Sequence, residues 1–157
     1  MVKLIDFFIF EDATHGIFVG LRPDKSSVDH IINYVQTNNI PNPTEPGSYH
    51  VTLIHSQKYL PDFNARGKLE IPYRCYPKRS LAVFQTAKGT NALAIELQCD
   101  ELQKYIKEIR RIHKPHYVDR IFRPHITISY DVSKLDINTL PKPGFPIFLD
   151  QEYMDKQ

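Results

Sequence analysis

The sequence predicts an α+β protein built from two similar lobes, and two observations support that prediction. The tetrapeptide His50-Val51-Thr52-Leu53 returns as His125-Ile126-Thr127-Ile128, in the same order and with the same chemistry. Each copy follows a strand, an amphipathic helix and a loop, and each histidine comes 22 or 23 residues after the first apolar residue of its helix. This shared spacing indicates an internal duplication within a single domain, 1–157, with lobes at about 16–56 and 92–130 related by a pseudo-two-fold.

The first half contains strong signals for each of its elements. Strands are predicted at 2–10 and 16–21, because both stretches are rich in β-branched and aromatic residues. Ser26 and Asp29 have the spacing of a capping box, and apolar residues then recur at helical spacing to about residue 39. A proline-rich loop at 41–47 leads into the strand that carries His50 and Thr52.

In the second half, the stretches 68–76 and 80–85 read as a hairpin, and a turn at 88–91 leads into a strand at 92–98. Asp100 and Gln103 form a second capping-box pattern, followed by a helix to about residue 113 that Pro115 prevents from continuing. The second His/Thr strand covers 125–130. The tail, 131–157, has one short strand candidate at 146–149, and it either lies over the site or covers a sheet edge.

Composition limits the classes of protein to consider. The 157 residues, 41% hydrophobic and 24% charged, are ordinary for a globular domain, and a net charge of +2 does not by itself indicate nucleic-acid binding. Cys75 and Cys99 are the only cysteines, which excludes a disulfide framework and predicts reduced thiols in the cytoplasm. A signal peptide and a membrane span are not expected, because Asp6 interrupts the apolar N-terminal stretch.

The paired motifs indicate acid and base catalysis on a phosphodiester. In a strand, side chains alternate between faces, so each copy places its His and Thr on one face and its aliphatic residues on the other. Histidine titrates near neutrality, so that one ring can accept a proton while the other donates one. Thr52 and Thr127 can donate hydrogen bonds to the phosphate oxygens. No metal-ligand set is evident, and we expect no metal and no cofactor.

A basic segment precedes the second motif. Between residues 107 and 123 there are six lysines and arginines against Glu108 and Asp119. The segment is either a solvated helix face or a source of positive potential that attracts an anionic substrate to the site.

The doubled His-x-Thr pattern resembles the 2H phosphoesterase superfamily. The resemblance covers about residues 16–130 and implies a bilobal α+β fold with two antiparallel sheets and helices on the outside. It also implies a catalytic quartet of His50, Thr52, His125 and Thr127. The strand entry at 14–19, Tyr49 before the first motif and the acidic ending at 148–153 look most like the phage anti-CBASS nucleases, which destroy cyclic nucleotide signals.

Residues near the motifs are candidates for substrate contact, although an aromatic residue near a strand more often belongs to the core. The candidates are His15, Tyr49, Phe122, Arg123 and Tyr130, with Phe8 as a further stacking candidate. An equally supported role for Arg123 is a structural salt bridge. The other histidines, His30, His55, His113 and His116, are expected at the surface or in caps.

The first functional hypothesis is therefore a metal-independent phosphodiesterase that opens 3′,5′-linked cyclic di- or trinucleotides such as cyclic GMP-AMP. Such an enzyme would counter CBASS immunity in the host cytoplasm if phage-encoded, with a cyclic oligonucleotide as its partner and no membrane or obligate protein partner. Alternatives are an RNA 2′,3′-cyclic or 2′,5′-oligoadenylate phosphodiesterase, a non-catalytic cyclic-nucleotide sponge, and an RNA-binding module.

Overall fold

The computed structural model describes residues 2–3, 16–116 and 121–156. Its strands and helices follow one another in the order that the sequence predicts. The strands and helices in chain order are β1 (Val2–Lys3), β2 (Ile17–Pro23), α1 (Lys25–Thr37), β3 (Val51–Ser56), β4 (Gly67–Pro77), β5 (Ala82–Gln85), β6 (Asn91–Gln98), α2 (Asp100–His113), β7 (His125–Ser129) and β8 (Ile147–Lys156). Single 3₁₀ turns occur at Pro46–Ser48 and Ile137–Thr139.

The strands form a large, mainly antiparallel sheet, which confirms the α+β class. Its order is β1-β5-β6-β4-β8-β2-β3, with β7 paired to β6 beside that path. Strand β1 runs parallel to β5, and the other pairings are antiparallel. Strand β4 connects the two halves, because its N-terminal part pairs with β8 and its last residues pair with β6.

The predicted hairpin between 68–76 and 80–85 is wrong. Both stretches are strands, but β4 pairs with β6 and β8, whereas β5 pairs with β6 and β1. The β5–β6 hairpin forms instead, through the turn that contains Gly89 at a φ of 82°. A four-residue turn signal such as 76–79 marks a change of direction, but it does not select the partner strand.

The tail is a central strand rather than a lid or a cover for an edge. Strand β8 is ten residues long and lies between β2 and β4, with Val19 paired to Met154 and Tyr73 to Leu149. The sequence indicated only 146–149 as strand, because residues 150–156 are mostly polar. Backbone pairing on both edges holds this polar stretch in the sheet.

The two helices occur where predicted, but their N-caps, Asp24 and Cys99, lie two residues and one residue before the expected Ser26 and Asp100. Asp24 caps α1, accepting a hydrogen bond from the Ser27 backbone N–H at 2.8 Å. Helix α2 begins after Cys99, and Asp100 lies in its first turn. A carboxylate at this position stabilises the helix by interacting with the positive end of its dipole. The helix ends at Lys114, which adopts a left-handed φ of 46°.

A single hydrophobic cluster joins both helices to both halves of the sheet. It includes Ile31 of α1 and Ile106 of α2 together with Leu21, Leu53 and Ile126, all of which are at most 2% exposed. The aliphatic residues of the two motifs are therefore part of the common core. This packing leaves the opposite face of the motif strands for function.

Candidate active site

The two motifs alternate in burial as a half-exposed strand should. Val51 and Leu53 are buried, while His50 and Thr52 are partly exposed. The second motif shows the same alternation: Ile126 and Ile128 are buried, and His125 and Thr127 are partly exposed. The four residues of the predicted quartet thus lie on the face away from the core.

Both motifs also contain the same irregularity in their strand pairing. In β3 the partner of Val19 is Ile54 and that of Gly20 is Thr52, so that Leu53 is an extra residue. In β7 the partner of Leu93 is Ser129 and that of Ala94 is Thr127, so that Ile128 is extra. A bulge of this kind bends a strand and redirects its side chains, and here it follows each Thr directly.

The loop before the first motif binds the end of the second motif strand. The Thr44 N–H donates to the Ile128 carbonyl at 3.0 Å, and the Tyr130 N–H donates to the Asn42 carbonyl at 2.9 Å. The Ser129 hydroxyl donates to the Pro41 carbonyl at 2.6 Å. Strands β3 and β7 approach within 8 Å between Cα atoms. This loop therefore places the two motif strands side by side.

The two histidines are oriented by equivalent hydrogen bonds. Nδ1 of His50 lies 2.7 Å from the Ser48 carbonyl oxygen, and Nδ1 of His125 lies 2.7 Å from the Arg123 carbonyl oxygen. A carbonyl only accepts, so each Nδ1 carries the hydrogen. Each Nε2 is then the nitrogen that can exchange a proton with a substrate.

The environment of His125 favours the neutral ring. Its imidazole stacks on the buried Phe84 ring, with centroids 4.8 Å apart and an interplanar angle of 29°. Burial lowers the pKa of His125, and the charge of nearby His50 lowers that pKa further, whereas the Glu96 carboxylate raises it. A neutral imidazole is the form that accepts a proton.

Arg123 makes the structural salt bridge that was one of its two predicted roles. Its Nη2 lies 2.5 Å from Glu96 Oε1, and its Nε lies 3.2 Å from Oε2. Glu96 pairs with His125 across the β6–β7 ladder, and it was not among the predicted site residues. The sequence offered no signal for it, because a single Glu within an apolar strand stretch has no motif partner.

Around His50 the structure adds three residues that the sequence did not single out. The ring of Phe18 makes an edge contact with His50, with centroids 5.6 Å apart, and lies 6.0 Å from the ring of Tyr153. The guanidinium of Arg22 lies 4.2 Å from the centroid of the Tyr153 ring, within the range of a cation–π interaction. Tyr153 belongs to the tail strand, whose position the sequence left open.

Tyr153 occupies the space over Gly20, its partner in the β2–β8 ladder. A Cβ at residue 20 would lie 2.7 Å from the Tyr153 hydroxyl oxygen and 2.9 Å from its Cε1. We expect Gly20→Ala to displace the ring and to lower the free energy of unfolding by about 1–3 kcal/mol, as other overpacked sites do. Urea denaturation measures the loss. Gly47→Ala is the matched control, because a Cβ there meets nothing within 4 Å, and equal losses in both variants would contradict the expectation.

The predicted substrate-binding residues differ in how far they are buried. Tyr49 is only 3% exposed and belongs to the core cluster, so it presents no ring face to a ligand, and we remove it from the candidates. Phe122 is partly buried against the same core, whereas Tyr130 is 53% exposed just beyond the second motif. His15 and Phe8 lie outside the described residues.

His55 was expected at the surface, and the structure corrects this, because the residue is only 5% exposed. The bulge at Leu53 brings its ring to the same side as Phe18, with centroids 5.7 Å apart. Burial lowers the pKa of His55 to about 4. The other three, His30, His113 and His116, are exposed or half-buried as expected.

The lowered pKa of His55 predicts acid sensitivity of the fold. The unfolded chain binds a proton at His55 near pH 6.5 and the folded chain only near pH 4, so the stability is lost as pH falls through this range. The expected loss is about 3 kcal/mol. Urea unfolding at about pH 7.5 and about pH 4.5 measures it. His55→Gln should reduce the pH dependence relative to wild type, whereas the exposed-site control His30→Gln should leave it unchanged; an unaltered dependence in His55→Gln would contradict this assignment.

Two general properties follow from the described part of the chain. Within it, no group of three or more His, Cys, Asp or Glu side chains is arranged to hold a metal ion. Neither of the helices described, α1 or α2, has the length and apolar character needed to cross a membrane.

In the basic segment, Lys107 and Arg111 are exposed on α2, and Arg111 pairs with Glu108 on the same helix.

Comparison with known proteins shows the family of this chain. A model of the family described as "Anti-CBASS protein Acb1" matches residues 15–156. The chain belongs to this family. The Acb1 proteins of Salmonella phage S16 and Yersinia phage phiR1-RT are 27% and 28% identical to it, and that of Enterobacteria phage T4 is 25% identical. Each of these alignments covers 93% of this chain and 91% of the relative.

Solved structures show the same fold at lower identity. Escherichia coli LigT in its apo form is 17% identical and superposes with a TM-score of 0.62, over 89% of this chain and 86% of LigT. The protein TT0787 of Thermus thermophilus is also 17% identical, with a TM-score of 0.53 over 88% of this chain and 83% of that protein. The resemblance to 2H phosphoesterases and to their anti-CBASS members is thus confirmed. Family membership and the shared fold together support the prediction of an enzyme.

Proposed function

We propose that this protein hydrolyses 3′,5′-linked cyclic di- or trinucleotides, such as cyclic GMP-AMP, and so removes the signal of CBASS immunity in the cytoplasm of the host. The observation that supports this most directly is the matched pair of histidines. Each has its Nδ1 held by the carbonyl two residues before it, and the strands that carry them lie side by side. Family membership supports the choice of a cyclic nucleotide as substrate.

The proposed reaction needs one proton acceptor and one proton donor. The ribose 2′-OH attacks the phosphorus, and His125, whose pKa is lowered by burial, takes the hydroxyl proton on Nε2. The bond from phosphorus to O5′ breaks, and His50, in its imidazolium form, donates its Nε2 proton to the departing oxygen. A water then opens the resulting 2′,3′-cyclic phosphate with the roles reversed. The two histidines supply every proton transfer, so the chemistry does not require a metal ion.

Thr52 and Thr127 support the same phosphate in this proposal. They share the partly exposed face with the histidines and come two residues after them. Their hydroxyls can donate to the non-bridging oxygens, on which charge increases as the 2′ oxygen attacks. Tyr130, Phe18 and Tyr153 are the partly or largely exposed aromatic residues that flank the motifs, and they are our candidates for contact with the bases.

We further infer that the two motifs belong to equivalent units related by a pseudo-two-fold, within a single domain. Two matched features support this relation beyond the sequence repeat. The extra residue is the fourth of the motif in both strands, Leu53 and Ile128. Both histidines also use the carbonyl two positions earlier. An axis of this kind would direct both Nε2 atoms towards one phosphate.

A substrate panel in EDTA tests the proposed function. Cyclic GMP-AMP, a cyclic trinucleotide, RNA with a 2′,3′-cyclic end and a 2′,5′-linked oligoadenylate are each incubated with the protein, and the products are separated by chromatography. We expect turnover of the 3′,5′-linked cyclic compounds to exceed that of the other two. Preferential cleavage of either linear RNA would replace the proposal with the alternative phosphodiesterase. Recovery of unaltered cyclic nucleotide after denaturing the complex would indicate a sponge.

A further inference from the structure

The two halves of the site differ at the position beside each histidine. Across the β6–β7 ladder, the residue opposite His125 is Glu96. In the other half the β2–β3 ladder ends at Leu21 and Val51, and the next residue of β2, Arg22, has its guanidinium over the Tyr153 ring. One histidine therefore has a carboxylate-bearing residue opposite it in its ladder, whereas the ladder of the other half ends one residue before His50. The repeat in the sequence does not extend to Glu96 and Arg22.

Glu96 is a buried carboxylate with a defined set of partners. It is 8% exposed, and Arg123 contacts both of its oxygens, at 2.5 Å and 3.2 Å. Nζ of Lys78 lies 3.5 Å from Oε2, and the Lys78 N–H donates to the Glu96 carbonyl at 2.8 Å. A carboxylate this buried is stable as an anion only with such partners. The two-point contact also fixes the plane of the Arg123 guanidinium.

Arg123 is connected to the ring of His125 in two ways. Its backbone carbonyl accepts the hydrogen bond from Nδ1 of His125 at 2.7 Å. Its guanidinium lies 5.5 Å from the centroid of the Phe84 ring, on which His125 stacks. Fixing the Arg123 side chain therefore restrains both the acceptor at Nδ1 and the ring beneath the imidazole.

We propose that the Glu96–Arg123 ion pair is the positioning device for His125 and sets the orientation in which its Nε2 exchanges a proton with the substrate. This inference deepens the proposed function and rests on it. It also gives Arg123 a role that differs from direct contact with the phosphate, because its guanidinium is already engaged by Glu96. His50 instead makes an edge contact with Phe18, so the two histidines have different surroundings.

The charges around His125 allow this role to be measured. Burial lowers the pKa of His125, while its hydrogen bond to the Arg123 carbonyl and the Glu96 carboxylate raise that pKa. The charges of His50 and of the Arg123 guanidinium lower it, and Lys78 contacts the same Glu96 carboxylate. Removing the Glu96 charge should therefore shift the titration of His125 to lower pH. It should also loosen Arg123, because its partner can no longer accept two charge-assisted hydrogen bonds.

The test uses Glu96→Gln in the full chain. Proton and nitrogen NMR follows the titration of the His125 imidazole, whose signal is assigned by its absence in His125→Ala. We expect the midpoint to move to lower pH and kcat with cyclic GMP-AMP to fall about 10²-fold, as for a misplaced catalytic group, while KM changes less than about threefold. Glu108→Gln is the matched control, because it removes an exposed carboxylate that pairs with Arg111 on α2, and it should change neither quantity.

Arg123→Lys provides a second variant in case Glu96→Gln does not fold. It keeps the positive charge but cannot bind both carboxylate oxygens in the same plane, and we expect a smaller fall in kcat, about 10-fold. A folded variant with unchanged kcat and an unchanged His125 titration would overturn the proposal. So would a lower melting temperature without a change in kcat, since that result describes a structural ion pair only.

The NMR titration separates this inference from the proposed function. If wild-type protein cleaves no cyclic nucleotide but Glu96→Gln still shifts the His125 titration, the ion pair controls His125 and the proposed substrate is wrong. If wild type cleaves the substrate and neither variant alters the titration or kcat, the function stands and the positioning role is lost.

Discussion

Replacing either His50 or His125 with alanine is expected to lower the rate of cyclic GMP-AMP cleavage by about 10³-fold or more. General acid and base catalysis contributes about 10²- to 10⁴-fold for each group. The two imidazoles are the proposed proton acceptor and donor, and their Nδ1 atoms are already occupied by the Arg123 and Ser48 carbonyls. The rates are measured under saturating substrate in EDTA, so that a contaminating metal-dependent nuclease does not contribute.

His30→Ala is the control for both histidine variants. His30 lies on the exposed side of α1 and stacks on Phe145, with centroids 5.2 Å apart. Its replacement should leave the rate within about twofold of wild type, since a surface substitution usually changes little. The proposed mechanism is wrong if His50→Ala or His125→Ala retains wild-type activity. If only one of the two variants loses activity, a mechanism with a single catalytic histidine would remain.

Thr52→Val and Thr127→Val are each expected to lower kcat by about 10²-fold, the effect of removing one hydrogen-bond donor from a developing oxyanion. Valine keeps the branched shape and the strand preference of threonine, so the substitution removes the hydroxyl and little else. Because the phosphate charge increases in the transition state, the loss should appear mainly in kcat and less in KM. Steady-state kinetics of both variants with cyclic GMP-AMP measures this division.

Thr37→Val is the matched control for the threonine variants. Thr37 is the exposed last residue of α1, away from the motif strands. It should keep wild-type kcat and KM. If Thr52→Val and Thr127→Val raise KM and leave kcat unchanged, the hydroxyls bind the ground state of the substrate and do not stabilise the transition state.

Local patterns in the sequence were sufficient for the elements that carry the chemistry. The alternation of polar and apolar residues placed His50 and Thr52 on one face of a strand, and the structure shows that alternation in their burial. The helices were also predictable, because apolar residues at helical spacing such as Ile31 and Ile106 can be buried only on one side. Each of these properties depends on residues within a few positions of one another.

Features that depend on pairing between distant strands were not predictable. The site face around His50 is completed by Tyr153, which is placed there because β8 inserts between β2 and β4. Glu96 gained its position beside His125 from the register of β6 with β7. The position of His55 opposite Phe18 is likewise a property of the β2–β3 register. No short-range signal in the sequence encodes a register.

The sequence by itself thus determined the two helices, most of the strands, the repeated His-x-Thr motif and the family to which it points. Only the tertiary structure decided how the two copies differ. The motif strands are alike because their periodicity and their hydrogen bonds to the carbonyl two residues earlier are local. Their surroundings differ because long-range pairing supplies Glu96 to one histidine and Phe18 to the other. A duplicated pattern specifies two similar strands, whereas their neighbours in the folded sheet determine the charge and orientation of each ring.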